Sequence, residues 1–151
     1  ISYAAGRALR RFNNPEYPSI YPANHERIHD LKAVCSYKMD RWTFSGTFVF
    51  ASGLPFTAPE AFYISSGQIV ADYGEHNSRR LRPYSRLDVS VAYRLTEKER
   101  TESGLNFSVY NILCRHNEMA YKMRINEKGV AYTPATMPFT FLPSLSYYYK
   151  F

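Results

Sequence analysis

Two histidines and two carboxylates lie close together near the start of the chain: His25, Glu26, His29 and Asp30. Such groups could bind a metal ion or exchange protons with a substrate. The spacing of His25 and His29 would bring both rings to one face of a helix. Here, however, the residues lead into a strand pattern and Pro22 lies just upstream, so their side chains divide in part between opposite faces. The pattern therefore predicts neither a catalytic centre nor a metal site.

The rest of the chain gives no stronger sign of an enzyme. It contains no GxSxG or P-loop pattern, and Cys35 and Cys114 form no CxxC motif. Cys35 falls on the apolar side of its strand pattern, where cysteine acts as a small hydrophobic residue. We predict no enzymatic activity and no cofactor.

Four arginines cluster where a long connection enters a strand, namely Arg79, Arg80, Arg82 and Arg86. They could form a cationic rim that binds an anionic ligand. The alternative, which we favour, is ion pairing with Glu75 or Asp88 at the base of the connection. Four aromatic residues of the same connection could stack on a sugar or a chelate, although packing against neighbouring loops is the simpler expectation: Phe56, Phe62, Tyr63 and Tyr73.

Composition narrows the class of protein. Of 151 residues 17% are aromatic, the net charge is +6, and the mean hydropathy is −0.41. No run of about 18 apolar residues exists, so the sequence predicts no transmembrane helix. Basic, aromatic-rich chains can bind nucleic acid, but base stacking needs aromatic rings and cations on one surface. Here they fall on opposite parities of the strand patterns, and we predict no nucleic-acid binding.

The stretch from Pro138 to Phe151 shows the strand pattern most clearly. Aromatic and apolar residues occupy one parity, while Lys150, Ser146 and Ser144 are among the polar residues of the other. An extended strand sends alternate side chains to opposite faces, so this pattern predicts a strand with one apolar and one mainly polar face. Such strands form transmembrane β-barrels.

About six strands follow from the same alternation, five of them before the terminal one: Ile1–Leu9, Asp30–Met39, Arg41–Phe50, Tyr84–Leu95 and Ser103–Tyr110. Short turns at Met39-Asp40 and 96–101 alternate with long connections over 11–28, 51–83 and 112–137. Short periplasmic turns and long extracellular loops distinguish outer-membrane barrels. Trp42, Tyr93 and Tyr149 would lie near the periplasmic interface.

Six strands are too few to enclose a transmembrane lumen, for which about eight are needed. A six-stranded sheet in lipid would leave two backbone edges unpaired. We therefore expect an all-β fold in which this antiparallel segment belongs to a larger barrel. The lack of an initiator Met or signal-like start suggests a piece of a longer protein.

Several motifs, in this order, resemble the last strands of TonB-dependent outer-membrane receptors. They are the runs 21–31, 36–38 and 41–45, Ala51-Ser-Gly-Leu-Pro, the run 82–90, and 106–111. The similarity spans nearly the whole chain. It is strongest to receptors of Gram-negative bacteria that carry a carboxypeptidase-regulatory-like domain before the plug.

The resemblance implies a barrel of about 22 strands around a plug domain. Residues 1–151 would be its C-terminal part, without the plug and the earlier strands. It implies TonB-dependent uptake of a metal chelate, vitamin, glycan or peptide. The implied partners are the rest of the barrel and its plug, outer-membrane lipid and lipopolysaccharide, the barrel-assembly machinery, and the TonB system through the plug.

The end of the chain also resembles the signal that the barrel-assembly machinery reads. Ser144, Tyr149 and Phe151 match this signal, whereas Ser146 stands where glycine is usual. Both aromatic rings could equally face lipid. Two alternatives to a TonB-dependent receptor are a passive outer-membrane pore or adhesin and a soluble β-rich binding module.

Overall fold

The computed structural model describes residues 1–13, 20–98, 101–126 and 129–151, and these residues form strands and irregular segments without any helix. Nothing in these ranges is a helix able to span a membrane. The fourteen strands are β1 (Ser2–Ala5), β2 (Leu9–Arg10), β3 (Tyr21–Pro22), β4 (His29–Met39), β5 (Trp42–Ala51), β6 (Pro55–Phe56), β7 (Pro59–Ser65), β8 (Gln68–Tyr73), β9 (Arg79–Arg80), β10 (Tyr84–Lys98), β11 (Thr101–Tyr110), β12 (Glu118–Asn126), β13 (Gly129–Thr136) and β14 (Leu142–Lys150).

Six of these strands form one antiparallel sheet in the order β1-β4-β5-β10-β11-β14, which is also their order along the chain. The predicted all-β class, the antiparallel pairing and the number of strands in this sheet are confirmed, but the predicted first strand Ile1–Leu9 is shorter, because only Ser2–Ala5 pairs with β4 and Leu9 belongs to β2. Both short turns lie at one end of the sheet, together with Phe151, and the three long connections leave from the other. The chain between Lys98 and Thr101 lies outside the described residues.

The strand register brings apolar side chains together in rungs across the sheet. One rung joins residues of five strands, Tyr37, Phe44, Val91, Phe107 and Leu145. The next rung towards the short turns contains Met39, Trp42, Tyr93, Leu105 and Tyr147. The rings of Trp42 and Tyr93 lie 4.5 Å apart in this rung. One face of the sheet is therefore a continuous apolar surface, with aromatic rings gathered near the short turns.

The opposite face carries small polar side chains. Five serines align in a single rung: Ser36, Ser45, Ser90, Ser108 and Ser144. The hydroxyl groups of Ser36 and Ser45 lie 3.2 Å apart. Cross-strand neighbours of this kind contact one another directly, so the polar character spans five strands without interruption.

No second layer covers the apolar face within the described part of the chain. Leu145 is 70% exposed, Tyr147 60% and Phe107 48%. A two-layer soluble domain would bury such residues, because burying one large apolar side chain contributes about 1.5–3 kcal/mol. The apolar surface of this sheet requires another environment or another partner.

The sheet is open. β1 pairs only Ser2–Ala5 with His29–Lys32, and the remaining length of β4 has no strand on that side among the described residues. Among the described strands, β14 pairs only with β11. No closed barrel forms within the described chain, and the larger barrel stays a prediction.

The long connections are more ordered than the sequence pattern indicates. They hold the strand pairs β2–β3, β6–β9, β7–β8 and β12–β13. β7 and β8 join through Ser66 and Gly67, whose φ values of 50° and 78° fit a tight hairpin turn. Pro55 and Pro59 interrupt the alternation and two of the pairs are two residues long, so periodicity alone does not reveal them.

Candidate functional site

Glu26 is the anchor of the first connection. Its side chain is completely buried, and its carboxylate pairs with Arg80 of β9 and with Arg7, whose Nε lies 3.6 Å away. The same carboxylate accepts a hydrogen bond from the Ala8 backbone N–H at 3.2 Å. Glu26 lies shortly before β4, and its contacts therefore tie this part of the chain to the residues after β1 and to the second long connection.

His25 to His29 match the letters of the HExxH zinc motif, which works only on a helix that brings both imidazoles to one face. This stretch is not helical. His29 lies in β4 and contacts the Tyr3 hydroxyl through Nδ1 at 2.8 Å, while Glu26 is occupied by arginines. Within the described chain, no three His, Cys, Asp or Glu side chains group in a way that could hold a metal ion.

The charges around Glu26 set its protonation state. Burial alone raises the pKa of this carboxyl, but the hydrogen bond and charge of Arg80, the Ala8 amide and the charge of Arg7 outweigh it. The pKa is therefore below its ordinary value of 4.5, and Glu26 is ionised at neutral pH.

Asn77 and Arg27 add further ties between the first and second connections. Asn77 is 5% exposed and donates through Nδ2 to the Pro22 carbonyl at 2.7 Å and to Asn24 Oδ1 at 2.6 Å. Arg27 donates to the Ser52 carbonyl at 3.0 Å. These bonds place the two connections side by side.

Gly53 lets two segments of the second connection cross closely. A methyl group on Gly53 would overlap the backbone carbonyl oxygen of Leu81. Next to it, the Leu81 N–H donates to the Leu54 carbonyl at 2.9 Å. The glycine of the Ala51-Ser-Gly-Leu-Pro motif is thus explained by steric contact at the base of this connection.

The third connection is fastened by two buried asparagines. Asn117 exchanges two hydrogen bonds with the Ser85 backbone, at 3.0 and 2.9 Å. Asn111 donates through Nδ2 to the carbonyls of Arg115 and Thr140, and its backbone N–H donates to Asp88. Its φ of 52° is a conformation that asparagine tolerates better than most residues.

A cavity of about 510 Å³ opens between the three connections. It is lined by Asn24, Leu54, Pro55, Phe56, Thr57, Pro59, Tyr73, His76, Asn77, Leu81, Met119, Ala120 and Tyr121. We call it the central cavity. The rings of Phe56 and Tyr121 stack with centroids 4.8 Å apart. None of the described residues in this lining is Asp, Glu, Lys or Arg, and the size of the cavity and its mixture of aromatic and amide groups suit a small-molecule site.

The four clustered arginines do not form one cationic rim. Arg80 pairs with Glu26, Arg82 Nε lies 3.3 Å from Glu118, and Arg86 Nε lies 3.0 Å from Asp88. Arg86 also lies over the Tyr110 ring, 4.6 Å from its centroid. Arg79 lines a smaller pocket with Phe56 and Tyr121. Ion pairing at the base of the connections is thus present, although Glu26 and Glu118 take the place expected for Glu75.

The other candidate residues fall in two places. Phe56 and Tyr73 line the central cavity, whereas Phe62 and Tyr63 lie in β7 outside its lining. The four residues of the possible assembly signal lie in or next to β14: Ser144, Ser146, Tyr149 and Phe151. Tyr149 and Phe151 stack at 6.2 Å on the exposed apolar side.

Sequence reasoning missed the buried polar residues Asn77, Asn111 and Asn117 and the anchoring role of Glu26. Their partners are backbone groups or side chains distant in the sequence, so no local spacing marks them. Of the three asparagines, only Asn111 belongs to a motif noted in the sequence, as the last residue of the run 106–111.

Comparisons of the chain with protein-family models, with curated proteins and with solved structures found no match.

Replacing Glu26 with Gln should lower the free energy of unfolding at neutral pH by about 2 kcal/mol, because Arg80 loses its counter-ion. The stabilisation from a carboxylate with a lowered pKa is present at neutral pH and is lost as pH falls below 4.5. Denaturant unfolding across this range should therefore show a weaker acid dependence in Glu26→Gln than in the parent. The exposed Glu75→Gln is the control, and equal behaviour of the two variants would contradict the role of Glu26.

Gly53→Ala should cost about 2 kcal/mol, because the added methyl group forces the backbone at Leu81 to move. Gly6→Ala is the matched control, since nothing lies within 4 Å of its added methyl group. Limited proteolysis should cut the second connection faster in Gly53→Ala only. Similar cleavage of both variants would rule out close crossing as the reason for Gly53.

Proposed function

We propose that this chain forms part of the wall and the extracellular loops of an outer-membrane β-barrel that takes up a nutrient in a TonB-dependent way. The observation that carries the proposal is the division of the six-stranded sheet into an exposed apolar face and a continuous polar face. Lipid suits the first face and an aqueous lumen the second.

The unpaired edges support the same proposal. Unsatisfied backbone groups in hydrocarbon cost several kcal/mol each, so β4 and β14 need neighbouring strands. A larger barrel of about 22 strands, as the resemblance implies, supplies them on both sides. The aromatic rings of Trp42, Tyr93 and Tyr149 near the short turns fit a membrane interface on the periplasmic side.

The central cavity supports a receptor role. It lies between all three connections, at the end of the sheet from which they leave, where an extracellular ligand would arrive first. Hydrogen bonds of buried residues hold its walls, so it is formed before a ligand binds. Preformed sites with few polar groups are typical of small-molecule recognition.

Paired arginine substitutions test the membrane orientation. Val91→Arg places a charge on the apolar face in the middle of β10 and should destabilise the inserted protein by about 2–4 kcal/mol. Ser90→Arg places the same charge one residue away, on the polar face, and should cost much less. The measurement is urea unfolding of the intact protein in lipid vesicles. Equal costs, or a larger cost for Ser90→Arg, would exclude lipid contact on the apolar face.

Energy coupling needs a separate test, because a passive pore or adhesin would share the same wall. The gene should encode a plug domain and a TonB box upstream of Ile1. Deleting the TonB box should abolish uptake without changing the amount of protein in the outer membrane. A gene that encodes neither a plug domain nor a TonB box would contradict TonB coupling, but it would leave the proposed barrel wall unchanged.

A further inference from the structure

A second cavity, of about 450 Å³, lies beside the start of β10 and shares no residue with the central cavity. Its lining is Arg82, Pro83, Leu113, Arg115, His116 and Glu118. We call it the basic cavity. Two arginines, a histidine and a single carboxylate line it, in contrast to the central cavity, where none of the described lining residues is Asp, Glu, Lys or Arg.

Arg82 is held in place by Glu118. The Glu118 side chain is 4% exposed and accepts hydrogen bonds from the Arg82 backbone N–H at 2.9 Å and from the Tyr121 hydroxyl at 3.3 Å. Arg82 Nε lies 3.3 Å from the same carboxylate, while its side chain is 81% exposed. The two terminal nitrogens of Arg82 make no hydrogen bond to any described residue. Glu118 thus orients Arg82 without enclosing its outer edge.

Arg115 is fixed at both ends. Its carbonyl accepts a hydrogen bond from buried Asn111 at 3.0 Å, and its Nη2 donates to the Pro83 carbonyl at 2.9 Å. A carbonyl does not neutralise the guanidinium, and no carboxylate among the described residues pairs with Arg115. The positive charge of Arg115 is therefore available to a ligand, and its position is set before binding.

Apolar side chains project next to these cations. Asn111 and Cys114 close a tight turn, through a hydrogen bond from the Cys114 N–H to the Asn111 carbonyl at 2.9 Å. Ile112 and Leu113 stand at its tip, 43% and 49% exposed, and Leu113 lines the basic cavity itself. Cations beside exposed aliphatic groups suit a ligand that carries both an anion and an apolar part.

From this geometry we propose that the basic cavity binds a phosphate group through Arg82 and Arg115, with His116 as a further donor. Guanidinium groups match the oxygens of phosphate with paired N–H donors, and both Arg82 and Arg115 line this cavity. The phosphate can be carried by a lipid headgroup, with acyl chains against Ile112 and Leu113, or by a soluble compound. Phosphate binding does not depend on the proposed transport function, whereas the lipid source does.

The test uses the intact protein in an uncharged detergent, titrated with inorganic phosphate by calorimetry. Binding should be saturable. The single variant Arg115→Gln should weaken it at least tenfold, and so should the double variant that combines Arg82→Gln with Arg115→Gln. Arg115→Gln removes only one contact to a carbonyl, so it keeps the test valid if the double variant does not fold. Arg10→Gln with Arg11→Gln removes the same charge elsewhere and should leave binding unchanged. Absence of saturable binding, or an equal loss in this control, overturns the proposal.

A second arm identifies the source of the phosphate. Phosphatidylcholine vesicles with phosphatidic acid, the same vesicles without it, and unlabelled inorganic phosphate are compared as competitors of labelled inorganic phosphate bound at the basic cavity. A lipid source predicts stronger competition by phosphatidic acid, and Leu113→Gln should reduce this advantage without altering binding of inorganic phosphate. If phosphatidic acid and inorganic phosphate compete equally at the same phosphate concentration, and Leu113→Gln changes neither, the ligand is a soluble phosphate. If vesicles without phosphatidic acid compete equally well, a lipid phosphate monoester as the ligand is ruled out, because phosphatidylcholine carries its phosphate only as a choline diester.

Discussion

The division of one sheet into an apolar face and a polar face is the constraint on which the rest of the structure depends. The two faces are set residue by residue, since Ser90 and Val91 lie on opposite sides of β10 and each belongs to a rung of five strands. A shift of any strand by one residue would place serines among aromatic rings on both surfaces. The register is therefore fixed by the separation of apolar and polar side chains between the two faces, and not by a packed core.

A second constraint acts at the end of the sheet where the long connections begin. There the chain buries Glu26, Asn77, Asn111 and Asn117, and each is held by several hydrogen bonds. Burying a polar group without partners costs more than its hydrogen bond contributes, so these contacts form together or not at all. This explains how connections with few buried apolar side chains keep a defined central cavity. The rigidity of the cavity walls comes from polar contacts.

The sequence predicts the sheet well because period-two alternation is a local property. It also predicts the alternation of short and long connections, because the period-two pattern shows where each strand begins and ends. The short strand pairs of the second connection are not predicted, because Pro55 and Pro59 interrupt the alternation of apolar and polar residues there. The carboxylate partners of the arginines cannot be predicted from local spacing, because Glu26 is 54 residues from Arg80 and Glu118 is 36 residues from Arg82. Only the folded chain shows which cations are neutralised.

Those pairings change the meaning of the net charge of +6. Composition suggests a broad cationic surface, yet Arg80 and Arg86 are paired with carboxylates, and their side chains are only 28% and 27% exposed. Arg115 differs because its partner is a carbonyl, which orients the guanidinium but leaves its charge. An anion is attracted to charge that is both uncompensated and held in position, since ordering a free side chain costs entropy. The basic cavity combines these two properties at Arg115, whereas none of the described residues that line the central cavity is Asp, Glu, Lys or Arg. The two cavities therefore suit ligands of different charge.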